Sequence, residues 1–363
     1  MKRLRIVISG GGTGGHIFPA LAIASEIKRR YSDAELLFVG ALGKMEMQQV
    51  PKAGFVIKGL WIDGFQRSLS LRNLLFPIKL LVSLGQAMRI LWQFRPQAVV
   101  GTGGFASGVF LKIAQWRGLP TLIQEQNSFP GITNKLLGQK AQAICVGFEE
   151  MERFFPQEKI IYTGNPVRKS LTQISIPSGQ AKAHFELNET QNVVAVLGGS
   201  LGARKINELI ASKLEFLQAA GYQILWQCGK LYYDQYGHLA SKTVKIMPFV
   251  SNMESFYAAA DILIARAGAG TLAELCCVAK PVILIPSPNV TANHQVKNAS
   301  ALVAQQAALM LEEKDLERQF EPQFISLTQD AKKQEAMRNR IAALAKPNAT
   351  AQIVDELEKI LFL

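Results

Sequence analysis

Three glycine-rich segments follow short apolar runs and are the first sign of chemistry in this chain. They span residues 10–15, 101–104 and 198–202. Residues without a Cβ let backbone N–H groups approach an anion closely, and the positive end of a following helix favours negative charge there. We therefore predict that each segment cradles a phosphate where a buried strand gives way to a helix.

His16 directly follows the first glycine segment. We expect it to open the next helix, with Pro19 in the first turn. The helix dipole favours the neutral imidazole, which can take a proton from a hydroxyl nucleophile. A histidine that only hydrogen-bonds phosphate or backbone suits the position equally well, so the pattern leaves both roles open.

A similar composition returns at residues 266–274, after an apolar run in the second half. Thr271 and its small neighbours suit a phosphate at a helix N-terminus, and Glu274 follows where a carboxylate can accept hydrogen bonds from a ribose diol. A glutamate on the helix surface, near the favourable N-terminal dipole, is the alternative, which the pattern alone favours. A polar cluster that suits sugar hydroxyls or a helix cap follows at His294, Gln295 and Asn298.

The elements that must position these residues alternate between short apolar runs, typical of buried strands, and longer helical patterns. The polar segment 173–182 is the predicted linker between two such sets. We therefore predict an α/β fold of two Rossmann-like doubly wound domains that face across a cleft, with ligands at the carboxyl ends of the strands. The predicted strands are 4–9, 35–39, 98–100, 121–124 and 143–146, then 193–197, 222–227, 244–247, 262–265 and 281–285.

Length and composition agree with two globular domains, since the chain has 363 residues of which 48% are hydrophobic and 19% charged. The four cysteines form no Cys-x-x-Cys pair and no His/Cys cluster. This argues against a disulfide framework and structural zinc, and it fits a reducing cytoplasm. The sequence shows no signal core and no apolar run of about 18 residues, so we expect a soluble or peripheral protein.

Positive charge is concentrated in the first half, where residues 1–165 carry 20 Lys and Arg against 10 Asp and Glu. Residues 64–124 contain no acidic residue, which implies an anionic surface or partner. Within them, residues 69–92 fit either an anionic membrane surface or an amphipathic helix packed on a sheet, which the pattern alone favours. Pro77 is expected at the start of this helix or at a kink. Nucleic acid is a weaker alternative because the region lacks interleaved aromatic residues.

Gly10, Gly12 and Gly15 also satisfy Gly-x-Gly-x-x-Gly, which by itself is a weak signal for a dinucleotide. An NAD site calls for Asp or Glu at the end of the second strand, and residues 35–41 end without one. An NAD-dependent oxidoreductase and a non-catalytic nucleotide-binding protein stay as alternatives. A Walker loop is excluded because no glycine run is followed by Gly-Lys-Ser or Gly-Lys-Thr.

Seven motifs occur in order along nearly the whole chain, at residues 11–20, 101–105, 125–127, 163–168, 198–202, 266–274 and 294–299. In these motifs the chain closely resembles the MurG family of peptidoglycan N-acetylglucosaminyltransferases. The resemblance implies the glycosyltransferase B fold. It also implies inverting transfer of N-acetylglucosamine (GlcNAc) from UDP-GlcNAc to the 4-hydroxyl of MurNAc in undecaprenyl-pyrophosphoryl-MurNAc-pentapeptide, which converts lipid I to lipid II. Such an enzyme is expected at the cytoplasmic face of the bacterial inner membrane, with residues 69–92 as the docking face.

The resemblance further implies an acceptor-binding, membrane-facing domain at 1–165 and a UDP-GlcNAc-binding domain at 166–346. A C-terminal helix at about 347–363 is expected to pack back on the first domain. The residues expected to bind substrate are Arg168 and Ser200 for the diphosphate, Val250 for the uracil through its backbone, Ala269, Gly270, Thr271, Leu272 and Ala273 for the phosphate, Glu274 for the ribose, Asn127 and Gln295 for the transferred sugar, and Thr13, Gly14 and Gly15 for closing the site from the first domain.

Inverting transfer needs a base for the acceptor hydroxyl and stabilisation of the leaving diphosphate. His16 is the candidate base. Arg168 and the helix N-termini are expected to replace a metal, since the sequence has no Asp-x-Asp pair, and we expect no cofactor. Residues 124–127 read Gln-Glu-Gln-Asn where the family usually has His-Glu-Gln-Asn. Any proton role of that histidine is therefore in doubt here, and Glu125 is the second candidate base.

Overall fold

The computed structural model describes residues 3–64, 75–199, 202–288 and 293–362. The chain divides into two compact units, Met1–Val167 with Asn348–Leu363, and Arg168–Pro347. Each unit is built on one parallel β-sheet. The predicted α/β fold with two Rossmann-like domains is confirmed. Of the residues singled out above, Ser200 and the segment 69–74 lie outside the described ranges.

The sheet of the first unit has its first strand near the middle. Sequence analysis missed its two edge strands: Val56–Leu60 alternates exposed with half-buried residues, and Ile160–Tyr162 has three residues, none fully buried. The order is β3-β2-β1-β4-β5-β6-β7, where the strands are β1 (Arg5–Gly10), β2 (Glu35–Ala41), β3 (Val56–Leu60), β4 (Ala98–Gly103), β5 (Thr121–Glu125), β6 (Ala143–Val146) and β7 (Ile160–Tyr162).

Helices pack on both faces of this sheet. They are α1 (Gly14–Arg30), α2 (Glu46–Lys52), α3 (Phe76–Phe94), α4 (Phe105–Trp116), α5 (Ile132–Gly138) and, at the end of the chain, α16 (Ala349–Phe362). Successive strand side chains point to opposite faces. Val7 and Val99 pack in the core with α3, α4 and α5, whereas Ile6 and Val100 pack in the core with α1 and α16. The two helix groups therefore lie on opposite sides of the sheet.

Two prolines mark helix geometry. Helix α1 begins at Gly14, two residues earlier than expected, so Pro19 is its sixth residue and does not lie in the first turn. The reason is that the main-chain oxygen of Thr13 accepts the N–H groups of both His16 (3.1 Å) and Ile17 (3.2 Å), which starts helical hydrogen bonding before the histidine. Pro77 lies in the first turn of α3 and marks its start, one of the two expected alternatives.

The last helix, α16, completes the core of the first unit. Ile353 and Leu357 are buried in the core with α1 and the strands. At the end of α1, Arg30 Nη1 lies 2.6 Å from Asp355 Oδ1 and 3.0 Å from Glu358 Oε1. The chain thus returns to its first unit after passing through the second.

The second unit repeats the arrangement with six parallel strands. Sequence analysis found all of them except the last, which is only two residues long. Their order is β10-β9-β8-β11-β12-β13, where the strands are β8 (Val193–Leu197), β9 (Gln223–Gln227), β10 (Val244–Met247), β11 (Ile262–Ala265), β12 (Val282–Leu284) and β13 (Leu309–Met310).

The segment 173–182 does not act as a linker. Residues Ser178–His184 form a helix in which Lys182 is buried, with its ammonium 2.9 Å from Asp261 Oδ2. The division between units falls earlier, after Val167. The described helices of the second unit are α6 (Lys169–Thr172), α7 (Ser178–His184), α8 (Arg204–Ser212), α9 (Leu214–Ala219), α10 (Tyr233–Tyr236), α11 (Met253–Ala259), α12 (Ala269–Val278), α13 (His294–Ala304), α14 (Leu316–Thr328) and α15 (Ala331–Ala343).

In each sheet the strand order reverses direction at one point, between β1 and β4 and between β8 and β11. Ligands of open α/β sheets bind outside the carboxyl ends of the strands at such a point. The glycine segments 10–15 and 101–104 lie at the ends of the first pair of strands, and residues 198–199 and 266–270 follow the second pair. The fold therefore collects the predicted phosphate loops at the topological switch point of each unit.

Candidate active site

The first glycine loop is held by hydrogen bonds to a buried carboxylate that was not predicted from the sequence. Glu46, fully buried, accepts the N–H of Gly12 at 2.8 Å and that of Ala41 at 3.0 Å. The Gly11 N–H donates to the Gly103 oxygen at 3.2 Å. A Cβ on Gly11 would lie 2.1 Å from the Glu46 Oε1, so glycine is required there by a close approach. No periodicity marks Glu46, because its role arises only where β2 and the loop meet.

These contacts reduce the number of backbone N–H groups that the first unit can offer to a phosphate. The N–H groups of Gly11 and Gly12 already have protein acceptors. Within the described ranges, no protein acceptor receives the N–H of Gly14 or Gly15, which begin α1. The first N–H groups of a helix have no intrahelical acceptor and carry its positive dipole end. An anion would therefore meet the segment Thr13, Gly14 and Gly15 and not the preceding glycines.

His16 is held by the neighbouring loop at the end of β4. Its main-chain oxygen accepts the Thr102 hydroxyl at 2.8 Å. Its half-buried ring has Nδ1 2.9 Å from Gln126 Oε1. Among the residues that the structure describes, no protein atom hydrogen-bonds to the other ring nitrogen, Nε2. One nitrogen of the candidate base is thus anchored, and the other has no partner in the described part of the chain.

Glu125 has a different environment from the one a base requires. It is buried, and its Oε1 accepts the Asn127 N–H (2.9 Å) and Nδ2 (3.1 Å). Its Oε2 accepts Asn134 Nδ2 at 2.8 Å and the Gly131 N–H at 3.2 Å. Four donors direct both oxygens into the loop that follows β5. The geometry therefore favours His16 as the base, with Glu125 holding the loop that carries Asn127.

In the second unit, the candidate phosphate site is the start of α12. Gly268 precedes the helix, and its oxygen accepts the first intrahelical hydrogen bond, from Leu272, at 2.9 Å. The N–H groups of Ala269, Gly270 and Thr271 therefore have no intrahelical acceptor. The Leu272 side chain is buried, so only its backbone can contribute, and Ala273 follows within the second turn.

Glu274 lies among groups that sequence analysis did not connect. Its Oε2 accepts the hydroxyl of the fully buried Tyr257 at 3.0 Å, and its Oε1 lies 3.3 Å from Arg168 Nε. Burial raises the pKa of Glu274, while the Arg168 charge and the Tyr257 hydrogen bond act in the opposite direction. The Glu274 side chain is only 15% exposed. Glu274 is therefore not exposed on the helix surface, as the alternative had it. Tyr257 was missed because a buried tyrosine on α11 looks like ordinary core in the sequence.

The remaining predicted donor residues are placed as follows. Val250 is buried after β10, and Gln295, on the first turn of α13, accepts the Ser287 N–H at 2.8 Å through Oε1. Ser200 lies outside the described residues. Arg266 serves the fold, since Nη1 donates to the Ile285 oxygen at 3.0 Å and Nη2 lies 2.6 Å from Glu313 Oε1.

Over the described ranges, no three His, Cys, Asp or Glu side chains come together as a group that could hold a metal ion. In the same ranges no helix is both long enough and apolar enough to cross a bilayer.

Sequence comparison connects this geometry to known proteins. The glycosyltransferase family 28 N-terminal domain matches residues 6–146, and the family 28 C-terminal domain matches residues 193–353. The chain belongs to glycosyltransferase family 28. Its predicted resemblance and its glycosyltransferase class are confirmed, and the oxidoreductase and non-catalytic alternatives are set aside.

Relatives of nearly full length carry one name, UDP-N-acetylglucosamine--N-acetylmuramyl-(pentapeptide) pyrophosphoryl-undecaprenol N-acetylglucosamine transferase. The protein of Christiangramia forsetii is 53% identical over 358 residues, which cover 99% of this chain and 98% of the relative. That of Flavobacterium psychrophilum is 52% identical over 361 residues, with the same coverage. These identities place the chain among the MurG members of the family.

Solved structures agree with the fold. The crystal structure of Acinetobacter baumannii MurG superposes with a TM-score of 0.78 at 25% identity, covering 98% of this chain and 99% of that one. The calicheamicin glycosyltransferase CalG4 superposes with a TM-score of 0.71 at 15% identity and covers 99% of both chains, a likeness that concerns the fold alone.

Proposed function

We propose that this protein is an inverting glycosyltransferase of peptidoglycan biosynthesis that moves GlcNAc from UDP-GlcNAc to the 4-hydroxyl of MurNAc in undecaprenyl-pyrophosphoryl-MurNAc-pentapeptide. The observation that carries the proposal is the near-full-length identity of 53% to a transferase of that name. The residues at the switch points of the two sheets suit this reaction. The first unit has His16 at a helix N-terminus, and the second has the pair of Glu274 and Arg168.

In this proposal the second unit binds the donor. Glu274 accepts hydrogen bonds from the ribose, and the diphosphate meets the N–H groups that begin α12. Arg168 contacts Glu274 through Nε, and its other guanidinium nitrogens are available chemically to bind phosphate oxygens. Val250 receives the uracil through its backbone and Gln295 the transferred sugar. Ser200 completes the diphosphate contacts.

The first unit then binds the acceptor and supplies the base. His16 Nε2 takes the proton of the acceptor 4-hydroxyl as that oxygen bonds to C1 of GlcNAc. The C1–O bond to UDP breaks on the opposite face, so the anomeric configuration inverts and the electron pair leaves on UDP. Arg168 and the α12 N–H groups stabilise the charge of the departing diphosphate. Thr13, Gly14, Gly15 and Asn127 bind next to the reacting groups.

Peripheral attachment to the cytoplasmic face of the inner membrane fits the exposed side of α3. Ser83, Ala87, Ile90 and Leu91 face the sheet. The opposite side is apolar and exposed, with Leu81 69% and Trp92 71% accessible. Such a stripe suits the boundary between headgroups and acyl chains. The other exposed apolar residues of this stripe are Ile78, Val82 and Met88.

One residue of this segment is unsuited to lipid contact. Lys79 is largely buried, pairs with Asp63, and has its ammonium 5.6 Å from the Trp61 ring centre. Its charge is thus held by the protein surface. Arg89, exposed on the same helix, is the better candidate for contact with an anionic headgroup.

The proposed activity is tested by UDP release from a panel of UDP-sugars, with and without a lipid I analogue, and by mass spectrometry of the lipid product. We expect release only with UDP-GlcNAc and acceptor together, with a mass gain of one GlcNAc. The matched variant His16→Ala should keep UDP binding and lose roughly 10²–10⁴-fold in turnover. A rate of UDP release that is the same with and without the lipid acceptor would contradict the proposal.

A further inference from the structure

The Gln126 side chain joins the candidate base to a buried chain of amides. Its Nε2 donates to the main-chain oxygens of Thr102 (2.9 Å) and Gln124 (3.0 Å) and to Gln124 Oε1. Its Oε1 lies 2.9 Å from His16 Nδ1. Gln126 and Gln124 are both buried. The amide therefore presents its NH₂ group to three oxygens and its oxygen to the imidazole.

This orientation is fixed independently at the far end of the chain. Asn165, also buried, donates Nδ2 to the main-chain oxygen of Gln126 at 2.8 Å. Its Oδ1 must then face Gln124, whose Nε2 donates to it at 2.9 Å. The Gln124 Oε1 is consequently the acceptor that faces Gln126. Flipping any one amide would set oxygen against oxygen or NH₂ against NH₂ in a buried place, where unpaired polar groups are costly.

The row of hydrogen-bonded amides determines which ring nitrogen of His16 carries the hydrogen. Because Gln126 Oε1 can only accept, His16 Nδ1 must carry the hydrogen. In the neutral ring the lone pair then lies on Nε2, the nitrogen without a described protein partner. After proton uptake at Nε2, the Nδ1–H bond to Gln126 remains as it was.

We propose that Gln126 is a positioning residue which, with Gln124 and Asn165, locks His16 in the Nδ1–H tautomer and so makes Nε2 the proton acceptor. The catalytic part of this inference rests on the proposed function, whereas the tautomer does not. The three amides that hold His16 are uncharged, and the neighbouring carboxylate of Glu125 does not contribute because it is directed to four other donors. Gln124, which replaces the usual family histidine, serves here as the middle link.

The direct test is nitrogen NMR of the full chain labelled with ¹⁵N-histidine, without substrate. The chain has four histidines, and a His16→Gln variant identifies the signal. We expect a protonated Nδ1 and an unprotonated Nε2 at a pH where the ring is neutral. A ring with Nε2 protonated, or an average of both tautomers, overturns the proposal. This measurement needs no turnover, so its result is separate from the success or failure of the transferase assignment.

The catalytic consequence is tested with Gln126→Leu. We expect the ring to lose its single tautomer and kcat to fall at least about tenfold, but by no more than the roughly 10²–10⁴ that a general base supplies, while the Kd for UDP stays unchanged. Gln115→Leu is the matched control, since it removes a half-buried amide of the same unit whose Nε2 donates to the Leu137 oxygen. It should leave tautomer and kcat as in wild type. An unchanged tautomer and kcat in Gln126→Leu would refute the role of Gln126.

Discussion

The His16 ring packs against the bare Cα of Gly103. A Cβ built on Gly103 would lie 2.8 Å from both Nδ1 and Cε1 of the imidazole, closer than carbon contacts in proteins allow. Gly103 has a φ of +107°, which side-chain-bearing residues rarely adopt. The glycine therefore both permits the turn after β4 and leaves space for the ring beside the Gln126 amide.

Gly103→Ala should displace the imidazole from its anchored position. We expect kcat to fall by roughly 10- to 100-fold, because a shift of about 1 Å in a reacting group has effects of this size. UDP affinity should be retained. The control is Gly118→Ala, which shares a positive φ of +71° but has no atom within 4 Å of the new Cβ. Steady-state kinetics measure kcat of both variants, and calorimetric titration measures their UDP affinity. Equal kcat values for the two variants would show that a Cβ at Gly103 does not displace the His16 ring.

Glu46→Gln should loosen the first glycine loop. The amide NH₂ of glutamine would face the N–H of the exposed Gly12 or of the buried Ala41, and an unpaired Ala41 donor would cost about 1–3 kcal/mol. We expect faster amide hydrogen exchange at Gly12 and Ala41 and a lower melting temperature. Exposed Glu152 in the same unit provides the control variant Glu152→Gln, for which we expect no change. Wild-type exchange rates in Glu46→Gln would show that the carboxylate does not organise the loop.

Tyr257→Phe should weaken UDP binding by about tenfold, since a hydrogen bond to a charged group contributes about 1.5–3 kcal/mol and part of it is recovered by relaxation. Glu274→Ala should weaken binding further and leave the protein folded. Tyr233→Phe, on the surface of the same unit, is the matched control. Calorimetric titration with UDP measures all three. Tight UDP binding by Glu274→Ala would remove Glu274 from the nucleotide site.

Leu81→Asp combined with Trp92→Asp should abolish most binding to vesicles of anionic lipid, because two apolar contacts are replaced by charges that the surface repels. UDP affinity should not change. The matched control compares two single variants, Leu81→Asp on α3 and Gln352→Asp on α16, which lies on the other side of the sheet. Co-sedimentation is the measurement. Equal sedimentation of the two single variants would reject α3 as the docking face.

The ion pairs of Glu26 should make stability depend on pH. Hydrogen bonding to Arg29, and then to Arg30, lowers the pKa of Glu26 to about 2 from 4.5. Because the folded-state pKa is depressed, the stabilisation is complete above about pH 4.5 and is lost as the pH falls toward 2. Allowing for the exposed Arg29, we expect about 1–2 kcal/mol. Denaturation of Glu26→Gln should differ from wild type by this amount at pH 7 and converge with it near pH 2; parallel curves would contradict this assignment.

Local patterns predicted the interior strands and the glycine loops, because a buried parallel strand is a continuous apolar run and a close anion approach requires glycine. They missed β3, β7 and β13, which are short or half exposed, and the start of α1, which depends on Thr13. His16 and Glu274 were singled out as candidates from their position after a loop. Their partners Gln126 and Tyr257 were not, because each pairing joins residues from separate elements.

The return of α16 to the first unit has a consequence for genetic manipulation of this protein. Arg30 ends α1, the helix that carries His16 in its first turn, and α16 is bonded to that arginine through Asp355 and Glu358. A premature stop that removes the last fifteen codons, and with them α16, would thus destabilise the first unit and the helix that carries the candidate base, although the mutation lies at the opposite end of the gene.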